Sequence, residues 1–172
     1  SDILKIENLI HEKKYKCFIA NDNSDGQLVI SGRIDHLNKF VDDLKNLRIK
    51  NITLPVSGPF HCELMNKATI KMESEIKKLK FNISENTLIS NVTANEMKNP
   101  EEIKKLLIKQ IESRVRWRES IIYMIKKGVN HFIEIGPGKV LSGLIKRIDK
   151  TVIVDAINSE EDINNIKKND KF

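Results

Sequence analysis

The sequence predicts an α/β chain, on three observations. Amphipathic stretches at helical spacing alternate with short apolar runs of strand length. Turn-forming residues punctuate them, and no stretch repeats along the chain. The first third has the order α-β-β-α-β, which one further strand would complete to a split βαβ, ferredoxin-like unit.

The elements follow in order. Ile3, Ile6, Leu9 and Ile10 recur at helical spacing, giving a helix over about residues 2–13 with Asp2 as its cap. Lys16–Ala20 reads as a short strand, Asn21–Gly26 as a turn cluster and Gln27–Gly32 as the returning strand of a hairpin. Ile34, Leu37, Phe40, Val41, Leu44 and Leu47 share one helix face, and Ile49–Leu54 reads as a third strand. Pro55–His61 is irregular, with two prolines and a glycine. Cys62–Leu79 reads as a helix and Leu88–Ser90 as a short strand. Asn99 caps a helix with Pro100 at its first position, running to about 110–113. Trp117–Lys127 is a helix ended by Gly128. His131–Ile135 reads as a strand, Gly136-Pro137-Gly138 as a tight turn into a helix over Lys139–Ile148, and Thr151–Val154 as a last strand. The polar tail from Ser159 is expected to fray.

Composition excludes several classes. The 172 residues fit one domain, or one domain with a small lobe, long enough to bury a core. No run approaches the ~18 apolar residues of a membrane span. Cys17 and Cys62 are too few and too far apart for a disulfide scaffold or a cysteine-rich zinc site. The net charge is +6, but it rests on 24 Lys against 6 Arg, and aromatics are only 5%. That is a poor set for gripping phosphates and stacking bases, so no nucleic-acid partner is expected. A Lys-rich surface suits an acidic partner instead. The chain opens on Ser1 with a helix-patterned stretch, without an initiator Met, and is expected to be the later part of a longer protein. Ile (26), Lys (24) and Asn (17) dominate, which points to an AT-biased genome.

His61 is the first candidate for chemistry. It follows Gly58-Pro59-Phe60 in a loop stiffened by prolines, a setting in which a histidine can serve as a general base near neutral pH. On the local residues alone, a capping or partly buried histidine without chemistry ranks ahead. His11 reads as a solvated cation at a helix end, His36 as surface and His131 as structural, and no pair has metal-ligand spacing. Gly136–Lys139 sits where a phosphate loop would. It lacks the first glycine of the Walker pattern, and Leu141 stands at the third glycine of the dinucleotide pattern, so a plain turn is favoured. No Gly-x-Ser-x-Gly elbow occurs. Cys62 adjoins His61 but points elsewhere and reads as packing. A base is present without a nucleophile.

Asn21–Gly32, Leu54–Met65, Gln110, Val115-Arg116-Trp117 and Glu134–Leu141 together, in this order, resemble the malonyl-CoA:acyl carrier protein transacylases, the acyltransferases of type II fatty-acid synthesis. The resemblance covers nearly the whole chain but only the later half of the family's enzyme. It implies a fold in two parts. Residues 1–54 would be most of a ferredoxin-like small lobe, with its first strand missing, and residues 55–172 the C-terminal part of an α/β-hydrolase-like large lobe.

The resemblance also implies a chemistry. In the family a serine on a Gly-His-Ser-Leu-Gly elbow attacks malonyl-CoA, and malonyl passes by a seryl ester to the phosphopantetheine thiol of acyl carrier protein. A histidine matching His61 is the general base, and a main-chain carbonyl at the position of Gln110 orients its other nitrogen. Positions matching Asn23, Val56 and Val140 lie near the acyl pocket, and Phe60 would help select the acyl group. Lys50, Lys139, Lys146 and Arg147 would form a basic rim toward the acidic carrier protein. The serine, the carboxylate-binding Arg and the oxyanion-hole Gln have no counterpart in this chain, which alone is expected to be inactive. The expected partners are malonyl-CoA and acyl carrier protein, with no membrane, no metal, no cofactor, and a monomeric state. The expected compartment is a bacterial cytoplasm or a plastid-type organelle (apicoplast) stroma, with the AT-biased composition leaning to the latter. The alternatives are an acyltransferase domain of a polyketide or multifunctional synthase, favoured less because Glu160–Phe172 reads as a true terminus, and a non-catalytic carrier-protein-binding module.

Overall fold

A computed structural model describes residues 3–168. Packing divides the chain into two units, residues 1–120 and 121–172. The first unit begins with α1 (Ile3–Glu12), the hairpin β1 (Cys17–Ser24) and β2 (Gln27–Gly32), and α2 (Ile34–Asn46). The expected Asp2 cap lies outside the described residues. The hairpin pairs Cys17 with Gly32 and Ser24 with Gln27, so only Asp25-Gly26 turns, and Gly26 takes φ 73°. The strand therefore extends through Asn21–Ser24, which reads as a turn in the sequence because those residues are polar. Asp22 and Ser24 are buried there, at 1% and 2% exposure.

The helices cover one face of the hairpin. Ile6, Cys17, Ile19, Phe40 and Leu44 are its buried centre, ringed by Leu9, Tyr15, Leu28, Ile30, Leu37 and Ile49. Phe40, 1% exposed, meets the Tyr15 ring edge-on at 5.9 Å. Burying such a ring contributes roughly 2–3 kcal/mol. The Tyr15 hydroxyl is tied to Asp43 at 2.9 Å. Gly32 is required by close approach, because a Cβ there would lie 2.5 Å from the Lys16 carbonyl. Burial pushes the Cys17 thiol up to about 11, so it stays protonated as a packing group.

Two expectations fail in the next stretch. Ile49–Leu54 forms no strand: Ile49 packs on the core, but Ile52 is 77% exposed and no strand among the described residues pairs with the segment. An apolar run without an edge to join stays irregular. The helix expected from Cys62 begins later, after a 3-10 turn over Glu63–Met65, as α3 (Asn66–Lys78). Its Ile76 is buried, as are Ile103 and Leu106 of α4 (Pro100–Lys109), and the two helices pack together. The α4 cap forms as its sequence predicts, with Asn99 Oδ1 accepting from the Glu102 amide at 2.9 Å. Between them β3 (Leu88–Ile89) pairs antiparallel with β4 (Glu96–Met97), a partner the sequence reading does not contain. The division between the units falls inside α5 (Trp117–Lys126).

The second unit is a βαβ arrangement. β5 (His131–Ile135) pairs in parallel with β6 (Ile153–Ile157), and α6 (Val140–Ile148) connects them. The last strand starts two residues later than the sequence suggests, because Asp149 accepts from both the amide and hydroxyl of Thr151 and holds a turn there. The tail from Ser159 is helical as far as it is described, to residue 168, where the sequence suggests fraying. It forms α7 (Glu160–Lys168), opened by reciprocal bonds in which Ser159 Oγ accepts from the Asp162 amide and Asp162 accepts from the Ser159 amide, with Ile166 turned inward. His131 bonds Asp155 at 2.8 Å across the pair, in keeping with a structural role.

The Gly136–Gly138 turn is closed by the protein's own groups. Glu134 accepts from the Leu141 amide at 3.1 Å and from the Ser142 amide and hydroxyl at 2.7 and 2.6 Å, while Asn158 accepts from the Gly138 amide at 2.6 Å. A carboxylate thus occupies the donors that a phosphate would need at a helix N-terminus, and the turn is no phosphate loop. The Ser142 hydroxyl, then its amide, hold the Glu134 carboxyl below its ordinary 4.5. A lowered folded value stabilises the fold above 4.5, and that contribution is lost as pH falls through the lowered value. Glu134→Ala should therefore lower the melting temperature more at neutral pH than at an acid pH below the lowered value. Thermal melts at both pH values check this, and an equal difference at both would refute the charged cap.

Candidate functional site

His61 lies in the first unit, in the loop between the irregular segment 47–59 and α3. The local sequence forces an unusual backbone. Two prolines restrict the approach, and His61 itself takes φ 60°, the left-handed region that costs a non-glycine residue roughly 1–3 kcal/mol. Both flanks are tied down. The Phe60 carbonyl accepts from the Ser31 hydroxyl of β2 at 2.8 Å. Cys62, 2% exposed, directs its Sγ to the Pro59 carbonyl at 3.1 Å. Cys62 is therefore an anchor for the turn and not a nucleophile paired with His61.

The ring projects to the end of α4. His61 Nδ1 lies 3.1 Å from the main-chain oxygen of Gln110, the residue that caps α4. A carbonyl oxygen only accepts, so this bond puts the hydrogen on Nδ1 and leaves the Nε2 lone pair as the basic position of the neutral ring. The segment after Gln110 is fixed to β1. The Asp22 amide donates to the Val115 carbonyl at 2.9 Å, and the Val115 amide to Ala20 at 2.8 Å. Arg118 Nε stands 3.2 and 3.1 Å from the two oxygens of the buried Asp22 carboxylate. Asn66 of α3 reaches Glu112 at 3.2 Å, a further tie between the two sides of the ring bond.

The other expected residues fall as follows. Asn23 lies on β1 between the buried Asp22 and Ser24, at a β-bulge where Asp22 pairs with Leu28 and Ser24 with Gln27, and it is itself half-buried. Val56 is 62% and Phe60 47% exposed, with the Phe60 ring set over Gly58, and neither is core. Lys50 is exposed just after α2. Val140, Lys139, Lys146 and Arg147 belong to the second unit: Val140 opens α6, exposed Lys139 precedes it, and Lys146 and Arg147 stand in its last turn. The Lys146 ammonium is engaged, donating to the Val152 and Lys150 carbonyls. His36 is not a plain surface residue, since its Nδ1 accepts from the Lys16 amide at 3.0 Å. The sequence reading misses Ser31, Asp22 and Arg118, and nothing in spacing marks them, because Ser31 meets Phe60 across 29 positions and Arg118 meets Asp22 across 96.

The chain has recognisable relatives. It is 40% identical over 152 residues to a malonyl CoA-acyl carrier protein transacylase of Staphylococcus aureus, a match covering 88% of this chain and 49% of that protein. Its structure superposes on an acyl-carrier-protein-S-malonyltransferase of Bartonella henselae with a TM-score of 0.92 at 36% identity, over 98% of this chain and 55% of the other. It superposes equally well, at 31% identity, on a malonyl-transacylase solved in complex with its type II PKS acyl-carrier protein, over 99% of this chain and 56% of that one. No family model matches the chain. The chain spans about half the length of the curated relatives it matches. Through that shared half, in sequence and in fold alike, the chain is a homologue of the malonyl CoA-acyl carrier protein transacylases.

Proposed function

We propose that this chain supplies the general base of a malonyl-CoA:acyl carrier protein transacylase. The observation that carries the reading is the bond from His61 Nδ1 to the Gln110 carbonyl, in a chain whose relatives are named for that reaction. His61 Nε2 takes the proton of a serine hydroxyl as its oxygen bonds to the thioester carbon of malonyl-CoA. The tetrahedral adduct then expels the CoA thiolate, which takes the proton back from the imidazolium. The resulting seryl ester is attacked by the phosphopantetheine thiol of the carrier protein through the same proton exchange in reverse. The serine lies in the part of the relatives' length that this chain does not span. The Gln110 carbonyl steadies the imidazolium by its dipole, without placing a second charge in the site.

The remaining site roles belong to the same proposal. Asn23, Val56, Phe60 and Val140 border the acyl group. Lys50, Lys139 and Arg147, with Lys146 donating to the Val152 and Lys150 carbonyls, make the basic rim that the carrier protein meets. The division into a small lobe over 1–54 and the closing part of a large lobe over 55–172 is the corresponding domain reading. No step calls for a metal or a redox cofactor. The Ile-, Lys- and Asn-rich composition supports an AT-biased genome, and with it a bacterial cytoplasm or a plastid-type organelle.

The test joins this chain to the part of the Staphylococcus aureus relative that it does not span, and follows labelled malonyl from CoA to acyl carrier protein. The joined protein should transfer the label, this chain alone should take none covalently, and His61→Ala should lower kcat by ~10²–10⁴. Covalent labelling of residues 1–172 alone, or full activity of His61→Ala, would sink the reading. Binding of carrier protein without any transfer would make the chain a docking module. Phe60 is tested in the same assay. A ring beside the acyl C2 crowds a branched methylmalonyl group, and excluding one methyl carries ~1–3 kcal/mol. Phe60→Ser should lower the ratio of malonyl to methylmalonyl kcat/KM; an unchanged ratio removes Phe60 from acyl selection.

A further inference from the structure

We propose that Ser31 is a positioning residue for His61: its hydroxyl, bonded to the Phe60 carbonyl, holds the left-handed turn that carries the imidazole to Gln110. The inference rests on the proposed role of His61 as base. A non-glycine residue at φ 60° returns to the extended or helical region unless its surroundings over-determine it. The peptide between Phe60 and His61 defines that dihedral from one side, and its oxygen has a side-chain donor, Ser31 Oγ at 2.8 Å. Ser31 is itself fixed. It is 9% exposed, and the ladder pairs it with Phe18. The donor is thus presented by a strand, not by a loop that could follow the turn if it relaxed.

The partner of the ring is referenced to the same hairpin. Gln110 begins the segment that β1 grips through Ala20 and Asp22, the latter with Arg118 on its carboxylate. β2 therefore sets where His61 starts and β1 sets where its acceptor stands, and the ladder between them fixes the 3.1 Å bond. Removing the Ser31 hydroxyl frees the peptide plane before His61. The turn relaxes, Nδ1 leaves the Gln110 carbonyl, and the ring reverts to the Nε2–H form favoured by free histidine.

Nitrogen NMR of the histidine rings, on the full chain and at a pH where the imidazoles are neutral, tests this. His61→Gln assigns the resonances. In the wild-type chain His61 should carry its hydrogen on Nδ1, and in Ser31→Ala the Nδ1–H form should fall from the dominant species to the minor one. Ser24→Ala is the control: it sits in the same hairpin, 2% exposed, and its hydroxyl has no partner among the described residues, so the His61 pattern should not move. A folded Ser31→Ala with the wild-type ring pattern overturns the positioning role while leaving the base assignment standing. A wild-type ring with its hydrogen on Nε2 overturns both. If Ser31→Ala does not fold, Ser31→Cys, which keeps the volume but is a weak donor, is read by the same two outcomes.

Discussion

The site depends on one constraint, a histidine held with its backbone in the left-handed region so that Nδ1 faces a main-chain carbonyl. That one bond determines which ring nitrogen is basic. Everything around it serves to keep the geometry: prolines before the turn, Ser31 on the Phe60 oxygen, buried Cys62 on the Pro59 oxygen, and α4 ending at Gln110. The acceptor of the ring is a neutral carbonyl. A carboxylate in place of the carbonyl would bring a buried charge whose desolvation the site would then have to offset. A carbonyl at the end of a helix is already unpaired within the helix, so it is available without breaking a backbone bond.

The hairpin is the frame that makes this constraint affordable. Its apolar face carries the helices α1 and α2, and that packing gives it rigidity independent of the site. Its polar residues then reach other parts of the first unit: Ser31 to the His61 turn, Asp22 to Arg118, and the β1 backbone to Val115. β1 is not regular: register shifts after Ile19 and after Asp22 interrupt its alternation, and the strand buries Ile19 in the apolar core and the polar Asp22 and Ser24 further along. In the second unit the same economy appears at Glu134, which caps α6 from the preceding strand and closes the glycine turn to anions.

Much of the fold was legible from local chemistry. Asp25-Gly26 announces the hairpin, Asn99-Pro100 the start of α4, and Gly128 the end of α5, because each is a short-range rule about dihedrals or caps. The failures share a cause. Ile49–Leu54 has the composition of a strand, but pairing depends on an edge elsewhere in the molecule, which composition does not reveal. The tail after Ser159 reads as polar, yet Ser159-x-x-Asp162 is a capping pattern, and one buried Ile166 is enough to anchor α7. At the site, His61 stood out by its proline-flanked loop, but its acceptor did not. Gln110 lies 49 positions away and contributes its main chain, so its identity leaves no trace in residue type; only resemblance pointed to it. Ser31 lies inside the matching stretch Asn21–Gly32, but neither residue type nor resemblance marks its role, and Arg118 lies just outside the matching Val115-Arg116-Trp117.

The partner of His61 Nδ1 is a backbone carbonyl and not a side chain. Substituting Gln110 by Ala removes the amide side chain and keeps the carbonyl, so the nitrogen NMR of the His61 ring in Gln110→Ala, beside the wild-type chain, tests it most directly. Both chains should show the same Nδ1–H form, with Nε2 unprotonated in the neutral ring. A hydrogen on Nε2 in the wild-type chain, or a switch to Nε2–H in Gln110→Ala with the fold intact, would contradict it.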